Sequence, residues 1–163
     1  MNVLELINIG SDKLKTSNIF SHKLDSEILL SEILNKRREE LLVNLDEKVS
    51  IKNQIKFEKI ISRRSSKEPV AYILKKKEFW SKNFIVNKDV LIPRPETELM
   101  VEKIIKIFNK KDIYILDVGT GTGCILLSIL SELKNSKGLG IDISPRAIQI
   151  ANKNLNKLKL TNN

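Results

Sequence analysis

Hydrophobic positions in the first 66 residues recur at helical spacing, interrupted by one glycine, Gly10, and by no proline. Val3, Leu6, Ile7 and Leu14 outline one amphipathic helix. Leu24-Asp25-Ser26 offers a cap for a second, with Ile28, Leu29, Ile33 and Leu34 on its buried side. Leu41, Leu42 and Leu45 belong to a short third segment, and Ile51, Ile55, Phe57, Ile60 and Ile61 to a fourth that ends near residues 63–66. The character changes at Lys67-Glu68-Pro69. From 70 to 92 the apolar positions Val70, Tyr72, Phe79, Trp80, Phe84, Val86, Val90 and Leu91 follow a strand-like pattern broken by Lys-rich and Asn-Lys turns, which predicts a two-stranded hairpin.

Ile92-Pro93-Arg94-Pro95 then stiffens the chain, since each proline fixes its own φ and pushes its predecessor extended. Pro95 suits a first helical position, and Glu96 and Glu98 place negative charge in the first turn, where the helix dipole favours it. Leu99, Val101, Ile104, Ile105 and Phe108 give this helix its buried side. Next come a strand over 113–117, a glycine-rich turn, and a helix carrying Ile125, Leu126, Ile129, Leu130 and Leu133. A second strand, Gly140-Ile141-Asp142-Ile143, is followed by Ser144 as an N-cap and Pro145 at the first position of a helix with Ala147, Ile148, Ala151 and Leu155 inside. Strand, helix, strand, helix is the start of a parallel, right-handed α/β domain. Two strands are few for a parallel sheet, which is normally covered on both faces, so the domain reads as cut short.

Composition places the chain among globular proteins, with 41% hydrophobic and 30% charged residues. No apolar run approaches the roughly 18 residues of a membrane span, and the N-terminus has no signal-peptide pattern. A single cysteine, Cys124, permits no internal disulfide, which suits the cytoplasm. The net charge of +9 divides into +4 over residues 1–80 and +5 over 81–163, mostly as lysine. Lys75-Lys76-Lys77 is the only run of three lysines, and the excess is expected to be solvated surface and not a specific nucleic-acid groove. One histidine, His22, and one cysteine make no metal site; His22 is expected at the surface and Cys124 as a small buried residue.

The chemistry is expected at Asp117-Val118-Gly119-Thr120-Gly121-Thr122-Gly123, which holds three of the six glycines. A strand, a glycine turn and a helix start form the local geometry that holds a small ligand against backbone amides. A P-loop is excluded because no Gly-Lys-Ser/Thr follows. A dinucleotide fingerprint wants its third glycine one place later, where Cys124 stands. An acidic residue two before Gly-x-Gly-x-Gly fits a turn that binds S-adenosylmethionine, whose ammonium and sulfonium suit a carboxylate at the strand end. Asp142, 23 residues after Gly119, ends the second strand where a carboxylate can accept hydrogen bonds from ribose hydroxyls, and it supports both of the last two readings.

Several phrases carry a more specific likeness. Arg63-Arg64, Glu68-Pro69-Val70-Ala71-Tyr72, Glu78-Phe79-Trp80 and Leu91-Ile92-Pro93-Arg94-Pro95-Glu96-Thr97-Glu98 stand in order ahead of the glycine turn. In these the chain resembles the N-terminal part of the peptide chain release factor glutamine methyltransferases, the PrmC/HemK family. The resemblance implies a helical substrate-recognition domain over 1–68, a β-hairpin linker over 69–92, and a Rossmann-like class I methyltransferase domain from 93, incomplete at 163. It implies S-adenosylmethionine as cofactor, with Asp117, Gly119, Thr120, Gly121, Thr122, Gly123 and Asp142 binding it and Arg94, Pro95 and Thr97 lining the pocket. Release factors are the implied partners, in a ribosomal setting, for a monomeric cytoplasmic protein. Lys67 and Leu74-Lys75 depart from the family's linker pattern.

The family's catalytic Asn-Pro-Pro-Tyr has no counterpart, since the four prolines here are Pro69, Pro93, Pro95 and Pro145. By resemblance, that motif accepts hydrogen bonds from the glutamine amide and aims its nitrogen at the sulfonium methyl. Residues 1–163 are therefore expected to contain no catalytic residue of the family and to transfer no methyl group by themselves. The competing expectations are a nucleic-acid amino-group methyltransferase and a non-catalytic fragment that docks on a release factor or ribosome.

Overall fold

A computed structural model describes residues 1–109 and 111–160. It divides into two units, Met1–Leu74 and Lys75–Asn163. The last three residues of the expected methyltransferase segment lie outside the described residues.

The first unit is helical: α1 (Val3–Thr16), α2 (His22–Leu34), α3 (Arg38–Val43), α4 (Ile51–Ser65) and α5 (Val70–Leu74). The first helix is set locally by a capping box, in which Asn2 and Glu5 exchange backbone and side-chain hydrogen bonds of 2.9 Å. Its apolar stripe of Val3, Leu6, Ile7 and Leu14 packs with Leu29, Leu30, Leu41, Phe57 and Ile61 into one core. Gly10 lies at the closest approach, where a Cβ would meet Ser26 Oγ at 2.5 Å and Phe57 at 2.8 Å. Ser26 uses the same proximity to donate 2.8 Å to the carbonyl of Ile7.

Two local expectations are corrected here. Asp25 is not a cap: α2 starts at His22, and Asp25 sits inside it, buried. Its carboxylate accepts from Ser21 Oγ at 2.9 Å and from Arg64 Nε at 2.7 Å, so a tertiary ion pair claims the side chain that local pattern assigned to a helix end. Val70–Leu74 is helical and not a strand. Pro69 fits the position just before this turn, its carbonyl accepting from the amides of Tyr72 and Ile73, and the buried Ile73 joins the first unit's core.

The second unit opens with an antiparallel hairpin, β1 (Lys76–Phe79) and β2 (Lys82–Ile85), in which Phe79 pairs with Lys82. Its turn residues Trp80 and Ser81 both have positive φ, 51° and 53°, without glycine or asparagine. Tertiary bonds hold that conformation: the Trp80 amide donates to Glu98 Oε1 at 2.8 Å and its indole to Glu132 Oε1 at 3.0 Å. A 3-10 turn at Pro95–Thr97 leads into α6 (Glu98–Ile107). The parallel pair β3 (Tyr114–Val118) and β4 (Lys137–Ile141) follows, connected through α7 (Cys124–Glu132), and α8 (Pro145–Leu158) closes the described fold.

Phe79 and Phe84 meet edge to face at 6.1 Å and share a core with Val101, Cys124, Leu127 and Ile129. Alternation along β3 and β4 leaves Tyr114, Leu116, Val118, Leu139 and Ile141 exposed on one side of the sheet. The unit is thus α/β, with one sheet face covered by helices and one apolar face open.

Candidate functional site

The turn after β3 gathers most of the residues singled out in the sequence. Gly119, Gly121 and Gly123 have φ of +79°, +55° and +76°, a left-handed region in which a side chain is strained. A Cβ built on Gly119 meets nothing within 4 Å, so the turn presents an open face at that position. Gly123 is the N-cap of α7 and offers no side chain to it; instead Thr122 Oγ1 accepts from the Cys124 amide at 3.2 Å.

The two acids are woven into the turn. Asp117 Oδ2 accepts from Thr120 Oγ1 at 2.7 Å, and Asp142 bridges Gly121 N and Ser144 N at 2.9 Å each. Thr120 and Thr122 are buried with their hydroxyls turned inward, and Thr120 packs over Gly140, where any Cβ would lie 2.9 Å from its Oγ1. The Gly119 and Thr120 amides both donate to the Ile141 carbonyl, at 2.8 and 3.0 Å, and Gly123 N donates to Thr120 O at 2.7 Å. Five of the six amides from Gly119 to Cys124 therefore have acceptors inside the protein. The expectation of a ligand held against free backbone amides is revised on this point: the turn spends its N–H groups on its own geometry, and what it turns outward is shape and carboxylate.

Ser144 caps α8 as read from sequence, its Oγ accepting from Ala147 N at 3.3 Å. Two backbone donors hold the Asp142 carboxyl below the usual carboxylate range. Because the folded value is the lower one, this contribution to the turn is complete above the ordinary value of about 3.9 and is lost as pH falls through the depressed one. Protection of the Gly121 amide is accordingly expected to stay constant from neutral pH down to about pH 4 and to fall only below it, measured by amide exchange or NMR.

Burial pushes the Cys124 thiol up, and the nearby Asp117 adds to the rise against a hydrogen bond involving Thr122. Burial thus disfavours the thiolate that a nucleophilic cysteine needs. His22, expected at the surface, has a partner: its Nδ1 lies 2.8 Å from Ser11 Oγ. Arg94 and Pro95 are exposed and Thr97 is half-buried, while Pro93 just before them is buried. No hydrogen bond joins Arg94, Pro95 or Thr97 to the glycine turn among the described residues. A cleft of about 220 Å³ borders the turn on the helix side, lined by Thr120, Gly123, Leu127, Gly140 and Ala151. Among the described residues no group of three His, Cys, Asp or Glu is placed to hold a metal, and no helix is long and apolar enough to cross a membrane.

One contributor escaped the sequence reading. Asn154 of α8 is wholly buried and bonds both to the hairpin at Ile85 and to Thr122 in the turn. It stands among other asparagines on one helix, and nothing local distinguishes it.

Comparison with known proteins bears on the whole arrangement. Residues 5–74 match the model of the PrmC N-terminal domain, and residues 109–163 match a methyltransferase domain. The chain is similar to the N-terminal portion of the PrmC family. It is 41% identical over 163 residues to a release factor glutamine methyltransferase of Buchnera aphidicola subsp. Baizongia pistaciae, covering 99% of this chain and 58% of that protein. A second such protein, from Buchnera aphidicola subsp. Schizaphis graminum, is 42% identical over 91% of this chain and 54% of its own length. A bifunctional methyltransferase of Rickettsia conorii is 37% identical over 98% of the chain, which spans 35% of that protein. The chain thus spans about a third to somewhat over half of the curated relatives it matches.

Proposed function

We propose that the glycine turn binds S-adenosylmethionine and that the protein methylates the side-chain amide of a glutamine in peptide chain release factors. The observation that carries the cofactor assignment is the internal use of the turn's amides. A dinucleotide needs free N–H groups for its pyrophosphate. The cofactor proposed here has no phosphate and presents an ammonium, a sulfonium, a carboxylate and ribose hydroxyls. An open face at Gly119, flanked by carboxylates at the ends of both strands, fits its cationic groups and its hydroxyls.

In this reading Asp117 takes the cationic groups through the oxygen not given to Thr120. Asp142 accepts from the ribose hydroxyls with lone pairs left after its two backbone bonds. The three glycines allow close approach, while Thr120 and Thr122 contribute by fixing the turn from inside. Arg94, Pro95 and Thr97 are assigned to the border of the pocket, at the start of α6. The cofactor, when bound, supplies an electrophilic methyl group. Its transfer to an amide nitrogen depends on positioning, because that nitrogen's lone pair is delocalised.

The substrate assignment rests on the family and on the two named Buchnera relatives. It is tested by incubating the whole protein, residues 1–163 being expected to transfer no methyl group by themselves, with a release factor and methyl-tritiated S-adenosylmethionine. Label is expected in the release factor and on a glutamine by peptide analysis. Label on nucleic acid, or none on the release factor, contradicts it.

A further inference from the structure

Asn154 makes three hydrogen bonds from a fully buried position. Its Oδ1 accepts from Ile85 N at 2.7 Å, and its Nδ2 donates to Ile85 O at 3.1 Å and to Thr122 O at 2.9 Å. Only a side-chain amide of this length satisfies one N–H and two carbonyls at once; a carboxylate loses both donors, and an aliphatic chain strands all three groups.

The bond to Thr122 has a specific mechanical consequence. The Thr122 carbonyl and the Gly123 N–H belong to one peptide plane, and that N–H closes the turn by donating to Thr120 O at 2.7 Å. Fixing the carbonyl fixes the plane, and with it the left-handed Gly123 that starts α7. The same side chain ends β2 of the hairpin at Ile85. Lys157, one turn further along α8, donates 2.8 Å to Asn83 O and ties the hairpin without touching the turn.

We infer that Asn154 is a positioning residue for the glycine turn, acting through Thr122 and referencing the turn to the hairpin. This rests on the proposed cofactor reading for its functional consequence, but not for its structural one.

The test uses three variants: Asn154→Ala, Asn154→Asp, and Val101→Ala as a core control matched in loss of thermal stability. Amide exchange and the dissociation constant for S-adenosylmethionine are measured well below each variant's unfolding transition. Asn154→Ala is expected to speed exchange at Ile85, Gly121 and Gly123 by at least about tenfold and to weaken the cofactor by about tenfold. Asn154→Asp retains the acceptor and is expected to keep Ile85 protected while Gly123 is released. Val101→Ala should change neither turn exchange nor affinity. Native exchange at Gly121 and Gly123 in folded Asn154→Ala overturns the inference, as does an equal change in the control. If Asn154→Ala does not fold, the contrast between Ile85 and Gly123 in Asn154→Asp decides alone. If the unaltered protein does not bind S-adenosylmethionine, the cofactor reading fails, while the exchange results still decide the role of Asn154.

Discussion

Replacing Arg64 with leucine is expected to cost the helical unit about 3–5 kcal/mol of stability, the range for removing one partner of a buried ion pair. The pair joins α4 to α2, with side-chain exposures of 16% for Arg64 and 8% for Asp25. Without the guanidinium, Asp25 keeps only Ser21 Oγ as a side-chain donor in a site too closed for water to compensate. The loss comes from the stranded carboxylate, not from the bond itself. The double variant Arg64→Leu with Asp25→Leu should therefore regain more than half of it. Urea unfolding of the three proteins checks this, and a single-variant loss below about 1 kcal/mol, the level of an exposed pair, contradicts it.

The second large effect is functional. Gly119→Ala puts a methyl group at φ +79°, at a folding cost of about 1–2 kcal/mol for the left-handed conformation. Nothing lies within 4 Å of the new atom, so no steric penalty is added inside the protein. The methyl instead occupies the open face where the cofactor is proposed to approach. Affinity for S-adenosylmethionine is expected to fall by at least about tenfold, equivalent to ~1.4 kcal/mol, while the unfolding transition moves only modestly. A calorimetric titration beside a thermal melt separates the two. Unchanged affinity would place the ligand elsewhere on the domain.

Much of the fold was legible because local and tertiary preferences agree. The stripe of α1, and Ser144-Pro145 ahead of α8, are formed by the residues whose spacing and capping chemistry predict them, whereas in α4 only Phe57 and Ile61 are buried and Ile51 and Ile55 are exposed. The failures share one physical cause. Asp25 is typical helix-cap chemistry, yet a partner 39 residues away claims it. Val70 to Leu74 alternates like a strand, but the burial of Ile73 in the helical core decides for helix. The hairpin turns at Trp80 and Ser81, where no residue announces positive φ, because Glu98 and Glu132 anchor it from distant helices.

At the candidate site, the glycine spacing and the two acids were readable, since turn geometry is written in local residue types. The direction in which the amides point was not. That depends on the Ile141 carbonyl and the Asp142 carboxylate, which only the pairing of β3 with β4 brings under the turn. Asn154 was invisible for the same reason: its partners lie 69 and 32 residues away.

The central claim is that the turn between Asp117 and Cys124 takes S-adenosylmethionine and not a dinucleotide. The most direct measurement is a calorimetric titration of the 163-residue chain with S-adenosylmethionine and, separately, with NAD. Saturable one-to-one binding of S-adenosylmethionine, with none of NAD, is the predicted result. Binding of NAD alone, or of neither ligand by the folded chain, would contradict it.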